Sequence, residues 1–271
     1  MGNAFSYEGK RVVVTGAFSG LGASLIDDLK ELGVEHVTVL DLKAPSGPHD
    51  VFIETNLSDR SAVDAAIAAI DGRVDVLFNN AGVAATQPPL TVLSVNYLAL
   101  RRLSEGLLAQ IPSGGAIVNT ASIAGSGWPN HVTEIDELLA VADWDESLAW
   151  LEAHPDLLAE PYGFSKEVVQ RYTMRSSRAT IAAGVRTNSV CPCPIETPLM
   201  VDFRATMGDA IIDWNVSQLG TGRIATPEDI SPPLAFLGSD AAYFVNGVNL
   251  IADGGFTAAM ATGQVDFSAL S

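Results

Sequence analysis

Seven short runs of apolar, largely β-branched residues recur along the chain, and stretches with helical spacing separate them. The runs are RVVVTG, HVTVLD, DVFIETN, VDVLFNN, AIVNTAS, VRTNSVCP and NGVNLIADGG. Strands that are apolar on both faces and alternate with helices are typical of a parallel sheet covered on both sides. No linker and no repeat of fixed period interrupts them. The pattern predicts an α/β fold, a doubly wound seven-stranded parallel sheet, with residues 1–271 forming a single domain.

Composition and charge narrow the classes of function. The 271 residues are 48% hydrophobic and 17% charged, which is sufficient for a well-buried core. The formal net charge of −17 repels nucleic-acid phosphates and anionic membrane surfaces. No apolar stretch approaches the roughly 20 residues of a membrane span, and the sequence does not open on a basic segment with a long apolar run. We expect a cytoplasmic protein that binds neither nucleic acid nor membrane.

The cysteines and histidines do not form a metal-binding pattern. Cys191 and Cys193 lie two positions apart around a proline, too close for an ordinary disulfide and too few for a zinc site. The four histidines show no metal-ligand spacing. We predict two buried thiols, with a redox role as the minor alternative, and no metal.

A glycine cluster follows the first predicted strand. In VVVTGAFSGLGASLIDDLKELG, Gly16 permits a tight turn, Gly20 lets the backbone approach a pyrophosphate, and Gly22 allows close helix packing. The apolar residues after it have helical spacing, and Gly33 can end that helix. Because a helix N-terminus offers free N–H groups to phosphates, the cluster predicts a dinucleotide site.

The second predicted strand ends at Asp41. A carboxylate there can accept hydrogen bonds from the adenosine ribose and repel a 2′-phosphate, which favours NAD over NADP. The alternative is a loop aspartate that caps the next turn. Lys43, two residues on, weakens the preference.

Five motifs occur in a recognisable order. They are T-G-x-x-x-G-x-G from Thr15 to Gly22, NNAG at 79–82, SVNYLA around Asn96, ASIAG around Ser122, and YGFSK from Tyr162 to Lys166. Together they resemble the short-chain dehydrogenase/reductase family over essentially the whole chain, which implies a Rossmann fold. The segment before the tyrosine, the IETPLM run and the DGGFTAAM ending most resemble the bacterial 3α-hydroxysteroid dehydrogenase/carbonyl reductase group.

The candidate catalytic residues also make chemical sense without the family. Tyr162 and Lys166 are four apart, so on a helix beginning near Pro161 they share one face. A tyrosine pKa near 10 is too high for a general base at neutral pH, and the ammonium together with an oxidised nicotinamide can stabilise phenolate. Ser122 follows the fifth strand, where its hydroxyl could hold the substrate oxygen. The alternative is an ordinary tyrosine and lysine pair on an amphipathic helix.

The resemblance assigns further roles. Asn96 would fix the lysine through a water and extend a proton relay; the alternative is a helix-interior asparagine that bonds a nearby strand. The implied cofactor-binding residues are Gly16, Ser19, Gly20, Leu21, Gly22, Asp41, Asn56, Leu57, Asn80, Ala81, Gly82, Tyr162, Lys166, Pro192, Ile195 and Thr197.

Two positions depart from the family pattern. Asn56 stands where the family often has an aspartate beside the adenine, which leaves the charge of that contact open. Cys193 follows Pro192 where the family usually has glycine. Since cysteine rarely takes a positive φ and Pro194 favours extended backbone before it, the turn is either reshaped or never needed glycine.

Residues 128–160 are an insertion, since the family joins the serine and tyrosine by a short loop. The segment has nine acidic residues, no Lys or Arg, and three of the four tryptophans: Trp128, Trp144 and Trp150. Its spacing predicts two short amphipathic helices, capped at Thr133 and Asp143.

We place this insertion at the mouth of the active site, and three roles are open. It covers the domain with a solvated acidic face, or its aromatic residues wall a pocket for a flat apolar substrate, or it occupies the surface by which relatives pair into tetramers. Nine carboxylates near an entrance would disfavour an anionic substrate.

The sequence therefore predicts an NAD-dependent oxidoreductase that interconverts a secondary alcohol and a ketone. The predicted substrate is small, neutral and apolar, such as a steroid or terpenoid, and the predicted assembly is a homo-oligomer, either dimer or tetramer. The rival is a catalytically silent sensor or scaffold that binds the cofactor with the same fold. Intact Asn96, Ser122, Tyr162 and Lys166 argue against that rival.

Overall fold

The computed structural model of the protein describes residues 3–268. Over that range seven strands form one sheet in the order β3-β2-β1-β4-β5-β6-β7, and every neighbouring pair is parallel. The strands are β1 Arg11–Thr15, β2 His36–Asp41, β3 Val51–Glu54, β4 Val76–Asn79, β5 Ala116–Thr120, β6 Arg186–Pro192 and β7 Asn249–Ala252. The predicted α/β sheet is confirmed.

Helices connect the strands and cover both faces. The α-helices are α1 Gly20–Glu31, α2 Arg60–Ala69, α3 Pro89–Leu93, α4 Ala99–Leu107, α5 Val132–Ala140, α6 Trp144–Glu152, α7 Pro161–Thr180, α8 Met200–Met207, α9 Asp209–Ser217, α10 Pro227–Gly238 and α11 Phe256–Ala261. A π-helical turn, Ser94–Leu98, joins α3 to α4, and 3₁₀ segments include Ile123–Asn130 and Pro155–Leu158. As predicted, Gly33, with φ of +85°, lies just past the end of α1.

Side-chain alternation along the strands divides the core into two layers. Val12 and Val14 of β1 point to the layer that contains α1 and α10, whereas Val13 points to the layer that contains α2, α4 and α7. Both faces of the central strands are therefore apolar and buried, because each one is covered by helices. None of the described helices combines the length and apolar character that a bilayer crossing requires.

The order of the strands reverses between β1 and β4. The chain moves from β1 outward to β3 and then returns to add β4 on the other side of β1. The connections that leave these two neighbouring strands diverge, which opens a crevice at their carboxyl ends. The glycine cluster after β1 and the NNAG motif after β4 both lie at this crevice.

Insertion 128–160 folds into α5 and α6 and packs against the body of the domain. Ile135, Leu138, Trp144 and Leu151 are buried in the same core layer as α7. Asp143 caps α6 as predicted, because its carboxylate accepts from the backbone N–H groups of the first turn.

The predicted cap at Thr133 is wrong. The 3₁₀ segment Ile123–Asn130 runs almost directly into α5, which begins at Val132, so Thr133 already lies within the first turn. His131 occupies the capping position without a side-chain hydrogen bond to the helix.

The packing of the insertion predicts a large stability effect at one position. Leu138 is completely buried, so we expect Leu138→Ala to lower the free energy of unfolding by about 2–5 kcal/mol through lost burial and a cavity. Glu137→Ala, at an exposed neighbouring position of the same helix, should change it by less than about 0.5 kcal/mol. Urea unfolding of both variants measures the difference. Equal midpoints would contradict the packing described.

Candidate active site

A cavity of about 560 Å³ opens at the carboxyl ends of the central strands. It brings together nearly all the residues predicted for a site. Its lining includes Gly16, Ser19, Gly20, Leu21, Asp41, Asn56, Leu57, Asn80, Ala81, Gly82, Ser122, Tyr162, Lys166, Pro192, Ile195 and Thr197. The other two predicted residues, Gly22 and Asn96, are not part of the lining; they lie behind it and support it.

The glycine cluster forms a surface that side chains would fill. Gly16 and Gly20 have positive φ angles of +69° and +60°. A Cβ on Gly16 would lie 2.5 Å from the Cα of Ala81, and one on Gly22 would collide with the carbonyl oxygen of Gly16. Backbone therefore lines this part of the cavity, next to the N-terminus of α1. This arrangement fits the pyrophosphate of a dinucleotide.

Hydrogen bonds fix the two loops of the crevice to each other. The hydroxyl of Thr15 accepts from the backbone N–H of Asn80, at 3.0 Å, and of Ala81, at 2.9 Å. The side-chain amide of Asn80 donates to the carbonyl oxygen of Gly16, at 2.9 Å. The NNAG motif is thus held against the glycine cluster.

Asp41 caps the turn, which was the alternative considered from the sequence, and it also faces the cavity. Its carboxylate accepts from the backbone N–H of Phe18, at 2.9 Å, and of Leu42, at 2.7 Å, and it also lines the cavity. The Nζ of Lys43 lies 5.4 Å from the ring centre of Phe18. The carboxylate therefore caps the turn while facing the site.

Tyr162 and Lys166 lie on one face at the start of α7, which Pro161 begins as predicted. The Nζ of Lys166 is 5.7 Å from the ring centre of Tyr162 and donates to the carbonyl oxygen of Thr120, at 2.8 Å. Ser122 follows β5 directly, and its hydroxyl accepts from the N–H of Ala124. The three side chains converge because the end of β5 meets the first turns of α7.

Burial controls the protonation of this group. It raises the pKa of Tyr162 to about 12, and a hydrogen bond with Ser122 partly opposes that rise. It also lowers the pKa of Lys166 to about 8. Phenolate at neutral pH therefore needs added positive charge near the ring. That Lys166 supplies part of this positive charge stays a prediction.

Asn96 is buried in the π-helical turn and bonds two elements. Its Oδ1 accepts from the N–H of Val83, at 2.9 Å, and its Nδ2 donates to the carbonyl oxygen of Val83 and the hydroxyl of Ser165. A Cβ built on Gly82 would lie 3.4 Å from Oδ1 of Asn96 and 3.6 Å from Nζ of Lys166. The two groups thus border the same small gap, which is where the predicted water would lie.

The two sequence departures are accommodated. Within the part of the chain that the structure describes, no residue other than glycine has a positive φ, so Cys193 occupies its turn without strain. Its N–H donates to the carbonyl oxygen of Ala252, at 3.3 Å. Cys191 and Cys193 are buried free thiols as predicted, and burial raises the pKa of both to about 11. Asn56 faces the cavity, and its Oδ1 accepts from Ser58.

Sequence reasoning missed one apolar wall of the cavity, which we call the far wall. Helices α8, α9 and α11 supply Phe203, Met207, Ile211, Trp214 and Phe256 to it. The ring of Phe203 meets that of Tyr162 edge-on, with centres 4.8 Å apart. These residues had no sequence signal beyond the apolar spacing that every amphipathic helix has.

The tail after Gly255 folds over the chain's own cavity. Phe256 packs edge-on against Trp214, whose indole N–H donates to the carbonyl oxygen of Asp266, at 2.7 Å. The N–H of Asp266 donates in turn to the side chain of Gln218, at 2.9 Å. The end of the tail, 269–271, lies outside the described residues.

The prediction that insertion 128–160 walls the substrate pocket is wrong. None of its residues lines the cavity. Its apolar side chains pack on the layer around α7 instead, and Asp136 pairs with Arg171 and Arg175 of that helix. The argument that its carboxylates disfavour an anionic substrate assumed that they lie near the entrance, and none of them lines the cavity.

A backbone-lined groove that fits a dinucleotide, beside a half-buried tyrosine and a buried lysine and serine, defines a class of oxidoreductase. Comparison with known proteins agrees. The family model described as "short chain dehydrogenase" matches residues 10–133, and "Enoyl-(Acyl carrier protein) reductase" matches residues 152–257. The unmatched residues between them lie within the insertion. The chain belongs to the short-chain dehydrogenase/reductase family.

Individual relatives agree over most of the chain. Coniferyl-alcohol dehydrogenase of Pseudomonas sp. is 33% identical, over 91% of this chain and 96% of its own. The 3-alpha-hydroxysteroid dehydrogenase of Pseudomonas sp. B-0831, solved with NADH, is 29% identical with a TM-score of 0.79. The match covers 93% of this chain and 99% of that one. A putative NAD(P) dependent gluconate 5-dehydrogenase of Beutenbergia cavernae, solved with NADP, is 28% identical with a TM-score of 0.72. The match covers 94% of this chain and 100% of that one.

These comparisons confirm the predicted resemblance. They also support alcohol–ketone oxidoreductase activity with a nicotinamide dinucleotide, NAD or NADP.

The buried ammonium predicts a pH-dependent stability effect. Lowering the pKa of Lys166 from 10.5 to about 8 corresponds to about 3 kcal/mol, and losing its bond to Thr120 offsets about 1 kcal/mol. Lys166→Met should therefore raise the free energy of unfolding at pH 7 by about 2 kcal/mol. Because the folded chain loses this charge above pH 8 and the unfolded chain above 10.5, the gain should shrink between those values.

Chemical denaturation at pH 7, 9 and 10.5 measures this gain. Lys43→Met, at an exposed position, is the control and should change little at any pH. A gain that is constant across the series would contradict a charged Lys166 at neutral pH.

Proposed function

We propose that the protein is an NAD-dependent oxidoreductase that interconverts a secondary alcohol and a ketone. The observation that carries the proposal is the convergence of Ser122, Tyr162 and Lys166 on the same cavity as the glycine-lined groove. The whole chain 1–271, with its insertion, acts as one catalytic domain. A non-catalytic sensor would need no such set of groups.

Each group has a chemical role in this proposal. In the oxidation direction the hydroxyl of Ser122 holds the substrate oxygen, and Tyr162 removes its proton. Lys166 stabilises the phenolate and binds the nicotinamide ribose. Asn96 supports a proton relay through the gap beside Gly82. An oxidised nicotinamide bound here would supply the hydride acceptor for the substrate carbon and positive charge near the phenol.

The preference for NAD rests on Asp41. Its carboxylate faces the cavity at the end of β2 and can accept from ribose hydroxyls, whereas a 2′-phosphate would meet a like charge there. Lys43 lies over the ring of Phe18, 5.4 Å from its centre. The remaining groove residues hold the pyrophosphate, adenine and carboxamide as the family pattern implies.

The far wall favours a neutral, apolar substrate. Five apolar side chains form this wall: Phe203, Met207, Ile211, Trp214 and Phe256. Within the described residues, the charged side chains that line the cavity are Asp41 and Lys166. Aromatic surfaces suit flat apolar rings. A steroid or terpenoid alcohol fits these surfaces, and two of the similar proteins are named for a steroid and for an aromatic alcohol.

We also propose an assembly and a location. The protein is expected to form a homo-oligomer, either a dimer or a tetramer, and to be cytoplasmic. Because insertion 128–160 covers part of α7, that surface is less available for pairing with a second copy.

The function is tested by following reduced-cofactor absorbance with NAD and a panel of cyclic secondary alcohols. Tyr162→Phe should lower kcat by at least about 100-fold, because it removes the proton acceptor. Tyr172→Phe, the same change on the same helix but outside the cavity, should stay within twofold. Cofactor binding without turnover on any alcohol, and no effect of Tyr162→Phe, would instead favour the sensor or scaffold.

The cofactor preference is tested at Asp41. Asp41→Asn should shift the ratio of kcat/KM for NADP to that for NAD upward by about tenfold, since it removes the like charge. Asp27→Asn, at an exposed position on α1 away from the cavity, should leave the ratio unchanged. A wild-type enzyme that already prefers NADP would contradict the proposed role of Asp41.

A further inference from the structure

Asn215 places an amide in the otherwise apolar wall that α9 gives to the cavity. Its neighbours in that wall from the same helix are Ile211, Ile212 and Trp214. The Oδ1 of Asn215 is shielded from solvent and has no hydrogen-bond partner within residues 3–268. Nor does its Nδ2 bond to any group in that part of the chain. The Oδ1 is thus buried and unpaired, whereas Nδ2 lacks a partner in that part of the chain but is not shielded in the same way.

The polar side chains that follow Asn215 in the sequence make hydrogen bonds elsewhere. The hydroxyl of Ser217 donates to the carbonyl oxygen of Trp214, at 2.7 Å, and accepts from the amide of Gln218, at 3.1 Å. The other end of Gln218 accepts from the tail at Asp266. The tail and the end of α9 therefore satisfy one another and leave Asn215 out.

An unpaired amide in such a place has a measurable cost. Leaving a buried donor or acceptor without a partner costs about 1–3 kcal/mol, and buried polar groups are paired in the great majority of cases. A leucine of similar size would pack in this wall without that cost. The cost is offset if the amide turns about its last torsion, so that its oxygen meets a ligand in the cavity.

The chemistry of the amide limits what that partner can be. An asparagine side chain offers an acceptor and a donor, and its last torsion is soft enough to present either one. It carries no charge, so it cannot neutralise an ionised group, whose burial against this apolar wall would be costly. Hydroxyl and carbonyl groups are the partners it suits.

The position of Asn215 limits where on the substrate that group lies. Ser122 follows β5 and Tyr162 begins α7, whereas Asn215 is carried by α9 in the far wall. The ring of Phe203, on α8, packs edge-on with the ring of Tyr162. The group that meets Asn215 therefore contacts a different wall of the cavity from the one that carries Ser122 and Tyr162.

We propose that Asn215 is a specificity-determining residue that binds a second, uncharged polar group at the far end of the substrate. The substrate class becomes apolar cyclic alcohols with a hydroxyl or carbonyl group remote from the reacting carbon. This inference rests on the proposed alcohol dehydrogenase function.

The test compares alcohols that differ only at the far end. The first pair is 4-(4-hydroxyphenyl)cyclohexanol and 4-(4-methylphenyl)cyclohexanol, and the second, shorter pair is cyclohexane-1,4-diol and 4-methylcyclohexanol. The wild type should oxidise the hydroxyl member of at least one pair with a kcat/KM about 3- to 10-fold above its methyl partner. Asn215→Leu should remove that preference, mainly by raising KM for the hydroxyl member. Ser217→Ala, at an exposed position of the same helix, should retain it.

Because each ratio is taken within one variant, a general loss of folding or activity does not change it. Turnover of the alcohols without a far-end preference in either pair, or a preference that Asn215→Leu retains, overturns the role of Asn215 and leaves the proposed function intact. Absence of turnover on every alcohol overturns the proposed function itself, and this inference with it.

Discussion

The hydroxyl of Thr15, which accepts two backbone N–H groups from the loop after β4, joins the two halves of the site. Strand order reverses at this point, so the loops after β1 and β4 would otherwise diverge. Their attachment lets glycine backbone form one side of the groove and Gly82 reach the gap between Asn96 and Lys166. The two sides of the cavity are thus held together by hydrogen bonds between the loops of neighbouring strands, made by Thr15 and by the Asn80 amide.

Most of the sheet and the reactive groups could be predicted from the sequence, because their signals are local. Alternating β-branched runs specify buried strands, and Tyr162 with Lys166 specify one helix face. Helical spacing also predicted the two helices of the insertion. It could not say which surface their apolar sides cover, since that depends on contacts with distant α7. For the same reason Phe203 and Trp214 looked like ordinary residues of amphipathic helices.

The site combines two demands that oppose each other. Burial excludes water from the reacting groups, but it also raises the pKa of Tyr162 and lowers that of Lys166. Both shifts move the pair away from the charged forms that proton removal requires. The fold holds the pair in place through the long α7, which insertion 128–160 buttresses with Trp144, Leu151 and the ion pairs of Asp136. Stability given up at the reacting groups is thus recovered on the opposite side of the same helix.

The tail has a consequence for how the molecule forms. Synthesis runs from the amino end, and the segment from Phe256 to Asp266 follows every strand of the sheet. A chain that ended at β7 would contain every strand of the sheet, the glycine turn and Tyr162, yet Trp214 would lack both Phe256 and Asp266. The glycine-lined side of the cavity is therefore complete before β7, whereas the wall around Trp214 is closed only by the segment that follows β7.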